Sequence, residues 1–124
     1  MTERAAGPAD VISDFASHVL DVVDSIPPGH VMSYGDIAEH LAEGPGPRQV
    51  GKVLATYGSA VPWWRVIHSD GTPAPGHDEA ALPHYLDERT PLRSARLPVR
   101  VDMHRARWQP SALAARFPGV VPVR

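Results

Sequence analysis

The chain contains no cysteine among its 124 residues, which excludes disulfides, thiolate metal sites and thiol nucleophiles together. Lysine is almost absent too: of twelve cationic side chains eleven are arginine and one is Lys52. Arginine suits bidentate contacts to phosphates and bases, and genomic base composition produces the same bias. Nowhere do about 18 apolar residues run together. The N-terminus carries no basic segment followed by an apolar stretch. Neither a membrane span nor secretion is therefore expected, and the expected compartment is the cytoplasm. The seven histidines show no H-E-x-x-H or comparable spacing, and Gly44-Pro45-Gly46 lacks the lysine and hydroxyl of a phosphate loop. No carboxylate pair has independent support as a hydrolytic site. No metal, cofactor or catalytic residue is expected.

What is present is unevenly spread. Residues 1–47 hold one cation, Arg4, against eight Asp and Glu, while residues 48–124 hold eleven cations against six acids. The two parts carry −7 and +5, so one basic face is compatible with the net charge of −2. The length suits one domain able to bury a core without covalent staples.

Met1 to Pro8 reads as a disordered leader. From Ala9 to Ile26 the apolar positions Ile12, Phe15, Val19, Val22, Val23 and Ile26 recur every three or four residues, the stripe of an amphipathic helix, stopped by Pro27-Pro28-Gly29. Ser33-Tyr34-Gly35-Asp36 has the S-x-x-D form of a helix N-terminus, with Ile37, Ala38 and Leu41 inward behind it. Gly44-Pro45-Gly46-Pro47 reads as a tight turn, with Pro47 opening a third helix and Gly58 stopping it. Two short helices joined this way are a helix-turn-helix candidate. Arg65 to Thr72 suggests a small hairpin or wing turning at Asp70-Gly71, and Gly71 to His77 a flexible or binding loop. Glu79 to Arg89 suggests a short helix in which Pro83 is tolerable only near the first turn. The alternation from Leu97 to His104 predicts a half-exposed strand, and Ser111 a cap for a last helix. The fold class expected is mainly α with a small β element, a winged helix-turn-helix in a single domain.

The stretch Val61-Pro62-Trp63-Trp64-Arg65-Val66 holds two of the three tryptophans. Pro62 disfavours a regular helix through it, and adjacent residues of a strand face opposite ways, so the two indoles are not expected to share one core. One of them is expected to line a cleft. On pattern alone such a pair is more often core packing than a ligand box.

Three motifs in order, Val31-Met32-Ser33-Tyr34-Gly35-Asp36-Ile37-Ala38, Pro47-Arg48-Gln49-Val50-Gly51 and Val61-Pro62-Trp63-Trp64-Arg65-Val66, resemble the DNA-binding domain of O6-alkylguanine-DNA alkyltransferases. The chain is most similar to their alkyltransferase-like relatives. The resemblance runs from about Phe15 to about Pro91. It places an alkyltransferase-like winged helix-turn-helix domain at 9–91 and leaves 92–124 as a basic extension packed on the same domain. In the repair enzymes the third motif is Pro-Cys-His-Arg-Val. Here Trp63 stands for the acceptor cysteine and Trp64 for the histidine that activates it. An indole carbon is no substitute for a thiolate, so the resemblance implies recognition without alkyl transfer.

That resemblance implies minor-groove contact through the second helix of the motif and flipping of O6-alkylguanine out of duplex DNA. Arg48 matches the arginine finger that fills the vacated stack, and Tyr34 the tyrosine that crowds the phosphate on the 3′ side. The DNA-binding set so implied is Tyr34, Arg48, Gln49, Gly51 and Lys52. The lesion pocket is Tyr34, Trp63, Trp64, Arg65, Val66 and His77, the last being the nearest basic side chain in the loop that closes over the base. Glu88 falls where the enzymes keep the glutamate that orients the histidine, and is expected to cap a helix or pair with an arginine. Arg93, Arg96, Arg100, Arg105 and Arg107 form either a phosphate-touching tail or a solvated strand face. Nucleotide excision repair proteins are the partners that the resemblance implies, with the chain acting as a monomer away from membranes. The alternative is a winged-helix transcription regulator on undamaged DNA, with the tryptophans as core. A residual hydrolase of alkylated bases has no catalytic group placed for it.

Overall fold

The structure is a computed structural model that describes residues 13–42 and 46–110. Helix α1 (Asp14–Ser25) starts where the Ser13 hydroxyl accepts from the Ala16 amide at 3.0 Å. Asp14 sits in its first turn, where the amide dipoles favour an acid. Its buried stripe is Ala16, Val19, Val22 and Val23. Residues 1–12, with the expected leader and the expected first turn at Ala9, lie outside the described residues. Helix α2 (Tyr34–Leu41) opens on the reciprocal cap that S-x-x-D predicts: the Asp36 amide donates to Ser33 Oγ at 2.9 Å and the Ser33 amide to Asp36 Oδ2 at 3.1 Å. Helix α3 (Pro47–Tyr57) has Pro47 in its first turn and follows Gly46 at φ +124, a conformation that L side chains rarely adopt. The three helices close around Val19, Val23, Ile37 and Val50. Gly58 ends α3 in right-handed geometry and leads into a single 3-10 turn, Gly58–Ala60.

Strand β1 (Met32–Ser33) pairs in parallel with β2 (Val66–Ile67), Met32 opposite Val66 and Ser33 opposite Ile67. This pairing brings the tryptophan segment beside the start of α2. It also corrects the expected hairpin over 65–72, because the ladder partner of β2 is β1 rather than a returning arm. The chain instead makes a tight turn, with the His68 amide donating to Thr72 O at 2.8 Å and the Gly71 amide to His68 O at 2.9 Å.

Helix α4 (Asp78–Glu88) contains Pro83 at its sixth residue, beyond the first turn to which it was expected to be confined. Pro83 and Glu79, whose carbonyl loses its donor there, are both exposed, so water can serve the orphaned oxygen. Strands β3 (Leu92–Ser94) and β4 (Arg100–Val101) form a small antiparallel pair. The strand expected over 97–104 shrinks to β4: the Val99 amide is taken by Asp78 Oδ2 at 2.9 Å, the Asp102 amide by Pro91 O, and α5 (Met103–Ala106) begins directly after. Val99 and Val101 are nevertheless fully buried, as the alternation requires, in a second cluster with Val31, Ile67, Tyr85 and Ala106. After α5 the chain runs beside Val31, whose amide donates to Ala106 O and whose carbonyl accepts from Trp108 N. Ser111 lies outside the described residues. No helix among the described residues is long and apolar enough to cross a membrane.

Candidate nucleic-acid interface

A cleft of about 460 Å³ lies between α3, the start of α2 and the loop after β2. The β1–β2 pairing sets Tyr34 on one side and Trp63 and Val66 on another, while Pro73, Ala74 and His77 supply the loop wall. From α3 come Gly51, Leu54 and Ala55, continued by Gly58 and Ser59. Among the described residues no carboxylate lines the cleft. Its volume falls in the roughly 300–1,000 Å³ range of small-ligand sites.

Tyr34 is half-buried, its ring centroid 5.1 Å from that of His68, and burial pushes its phenol pKa up. Its hydroxyl has no hydrogen-bond partner among the described residues. Trp63 is also half-buried, with its ring 5.5 Å from His77 and 5.8 Å from His84. His77 stands at the N-terminus of α4 and holds the loop through its own backbone: its amide donates to Ala74 O and its carbonyl accepts from Ala81 N. The other end of the loop is pinned at Gly71, whose φ is +94 and where a Cβ would lie 2.3 Å from Val101 O. The Val101 amide donates to Gly71 O at 2.8 Å, so β4 fixes where the loop begins.

Arg48 and Lys52 are exposed, and among the described residues neither has an ion-pair partner. They stand a turn apart on α3, and Arg48 is three residues before Gly51, so they border the α3 edge of the cleft. A Cβ on Gly51 would meet the Tyr34 ring at 3.9 Å, which measures how near the α3 backbone runs to it. Gln49 is partly exposed in the first turn of α3. Among the described residues no group of three His, Asp or Glu side chains is placed to hold a metal ion.

The structure gathers Tyr34, Gly51, Trp63, Val66 and His77 at the cleft and turns Trp64 and Arg65 away from it. This corrects the expected lining. The indole of Trp64 stacks on His84, with centroids 3.6 Å apart and planes 8° from parallel, and its Nε1 donates to Glu88 Oε2 at 2.9 Å. Arg65 forks onto both oxygens of Glu88 and donates from Nη1 to Ile26 O at 2.9 Å. The Gly29 amide adds a further hydrogen bond to Glu88 Oε1. Burial pushes the Glu88 carboxyl up, but the donors from Arg65, Gly29 and Trp64 outweigh it and hold the group below the usual carboxylate range. Below this network the fully buried Tyr85 donates from its hydroxyl to Trp64 O at 2.7 Å. Glu88 therefore pairs with an arginine as expected. It also accepts from the indole N–H of Trp64.

Two features around the cleft escaped sequence reasoning. Ala55 and Ser59 continue from Gly51 along the cleft wall as small residues at four-residue spacing, a signal present in the sequence. His84 carries none, because its contacts to Trp63 and Trp64 arise only when α4 docks on the 3-10 turn Trp63–Arg65.

Comparison with known proteins shows the family and the fold. The profile of the family described as 6-O-methylguanine DNA methyltransferase, DNA binding domain, matches residues 14–88. The chain is 42% identical over 60 residues to the DNA base-flipping protein of Escherichia coli K12, which covers 47% of this chain and 46% of that protein. It is 40% identical over 63 residues to Alkyltransferase-like protein 1 of Schizosaccharomyces pombe, covering 49% of this chain and 58% of that one. The chain thus spans about half the length of the curated relatives it matches. A crystal structure of S. pombe Atl1 in complex with damaged DNA containing O6-carboxymethylguanine superposes with a TM-score of 0.68 at 26% identity, over 81% of this chain and 99% of that one. A second structure, of the S. pombe protein in complex with DNA, gives a TM-score of 0.67 at 28% identity.

Proposed function

We propose that this chain, which belongs to the 6-O-methylguanine DNA methyltransferase DNA-binding domain family and to its alkyltransferase-like branch, is a non-enzymatic DNA-damage sensor. It binds O6-alkylguanine in duplex DNA through minor-groove contact by α3 and flips the damaged nucleotide into the cleft. The observation that carries this reading is Trp63, half-buried on the cleft wall in a chain with no cysteine at all, at the position that the motif resemblance matches to the acceptor cysteine of the repair enzymes. An indole carbon cannot take up the alkyl group, and the N–H of Trp64 is committed to Glu88. What Trp63 supplies is an apolar stacking plane, worth about 1–3 kcal/mol per base in stacked complexes.

Flipping costs a few kcal/mol and costs least for a badly paired base, so an O6-alkylated guanine is favoured before the cleft reads anything. Arg48 enters the vacated stack, Tyr34 crowds the phosphate on the 3′ side, and the loop 71–77 covers the base from the side of His77. With no group able to remove the alkyl substituent, the bound lesion must be passed on, and nucleotide excision repair proteins are the proposed recipients. The chain acts as a monomer on cytoplasmic, nucleoid DNA. The relatives named for base flipping, and the S. pombe complexes with DNA, support this reading.

The test is Arg48→Ala on a duplex carrying one O6-methylguanine, at fixed ionic strength because phosphate contacts make affinity salt-dependent. A loss of lesion affinity of about tenfold or more, at unchanged melting temperature, is expected for a finger that fills the stack. Unchanged lesion affinity, combined with preference for one undamaged sequence over others, would replace the sensor with a winged-helix regulator.

A further inference from the structure

The family profile ends at residue 88, yet the segment that follows it reaches back to the frame of the cleft. Arg107 sets its guanidinium side-on against Asp36, Nε to Oδ2 at 2.9 Å and Nη2 to Oδ1 at 2.8 Å. Asp36 is the acid of the α2 cap. Its Oδ2 also accepts from the Ser33 amide, and its own amide donates to Ser33 Oγ. Tyr34 stands between these two residues as the first residue of α2, its backbone fixed by the cap and its ring on the cleft. Arg107 does not hang freely. The residues on either side, Ala106 and Trp108, are hydrogen-bonded to the two backbone groups of Val31, which leads directly into β1. Trp108 also packs against the helical core.

We propose that Arg107 is a positioning residue for Tyr34: the segment at 106–108 straps the α2 cap from outside the family domain and sets the angle at which Tyr34 meets a flipped nucleotide. Most exposed ion pairs contribute little, but a two-pronged arginine fork on a largely buried carboxylate is the exception, and Asp36 is 13% exposed against 42% for Arg107. Burial pushes the Asp36 carboxyl up, and the bonds from Arg107 and Ser33 outweigh it and bring the group below its ordinary range. The proposal rests on the sensor reading, since Tyr34 matters to flipping only if flipping occurs.

The experiment compares wild type, Arg107→Ala, Arg107→Lys, Tyr34→Ala and the double variant on paired O6-methylguanine and plain duplexes. Arg107→Ala should lower the ratio of lesion to plain affinity about five- to tenfold, the size of a typical coupling between contacting residues. Plain-duplex affinity should stay within about twofold, the range expected when no phosphate contact is lost. Arg107→Lys, which keeps the charge without the fork, should recover part of the loss. In the Tyr34→Ala background the Arg107 effect should vanish, because it acts through the ring. Equal weakening on both duplexes would make Arg107 an ordinary phosphate contact and overturn the proposal, as would an Arg107 effect that persists undiminished without Tyr34. If wild type shows no lesion preference, the sensor reading fails, and the strap is then judged in the free protein by hydrogen exchange at the Ser33 and Asp36 amides. Faster exchange in Arg107→Ala keeps the strap, and unchanged exchange removes it.

Discussion

Trp63 and Trp64 are neighbours in sequence, and their rings meet edge to face at 5.6 Å, yet they belong to two different environments. On the Trp63 side the cleft is walled by aromatic and small residues, no carboxylate lines it, and the Tyr34 hydroxyl is unpartnered among the described residues. On the Trp64 side the polar atoms are engaged. Glu88 takes both prongs of Arg65, the Trp64 indole and the Gly29 amide, while Tyr85 closes the Trp64 carbonyl. Hydrogen bonds already made inside the protein are not available to a ligand, and apolar surface left half-covered is. One side of the segment thus holds the fold, and the other is the side that the proposed function gives to a partner.

The sharpest way to break this division is Glu88→Ala, which removes the counter-charge of the largely buried Arg65 and leaves its Nε and Nη2, the Trp64 indole N–H and the Gly29 amide without an acceptor, while Nη1 keeps Ile26 O. A loss of about 3 kcal/mol is expected, a fall in melting temperature of roughly 10–20 °C. Thermal unfolding followed by circular dichroism would show it, and a change under 1 kcal/mol would remove the network from the structural side. Next, Trp63→Ala should cost about tenfold or more in affinity for a lesion duplex, with stability changed by about 1 kcal/mol, since a half-exposed stacking plane serves the base rather than the core. The mirror variant, Trp64→Phe, should lose about 1–2 kcal/mol of stability as the Glu88 hydrogen bond goes, and keep lesion affinity within about twofold. If the two variants exchanged these effects, the assignment of the indoles would be reversed.

The smallest effect is the response to acid. The folded-state pKa of Glu88 is held below its unfolded value, so its contribution is present above the ordinary glutamate value of about 4.3 and is lost as pH falls through the depressed one. Asp36 behaves in the same direction. A stability profile measured by urea unfolding should therefore fall on the acid side, and Glu88→Gln should flatten that limb, leaving the share that Asp36 contributes.

The helical half was legible because its signals are local. Ser33 and Asp36 cap α2 within four residues, Pro47 starts α3 where a proline can, and the stripe of α1 repeats every three or four residues. The β half was not, because its pairings are short and distant. Two residues of β1 meet two of β2 thirty-four positions later, which no alternation in so short a run reveals, and this turned the expected hairpin into a turn. The predicted strand at 97–104 carried the right burial at Val99 and Val101, but its ends were claimed by Asp78 and Pro91. In the cleft, the motifs led to Tyr34, Trp63 and Val66, and the loop after Gly71 to His77. They could not separate Trp64 and Arg65 from them, since Glu88 lies more than twenty residues away and only the docking of α4 brings it beneath the tryptophans.

The central claim is that the cleft recognises an alkylated guanine without altering it. Fluorescence anisotropy of two labelled duplexes of one sequence, the first with a single O6-methylguanine and the second with plain guanine, tests it at a fixed salt concentration. Lesion-selective binding, with the methyl group still on the recovered base, is the predicted result. Equal affinity for the two duplexes, or transfer of the methyl group to the protein, would contradict it.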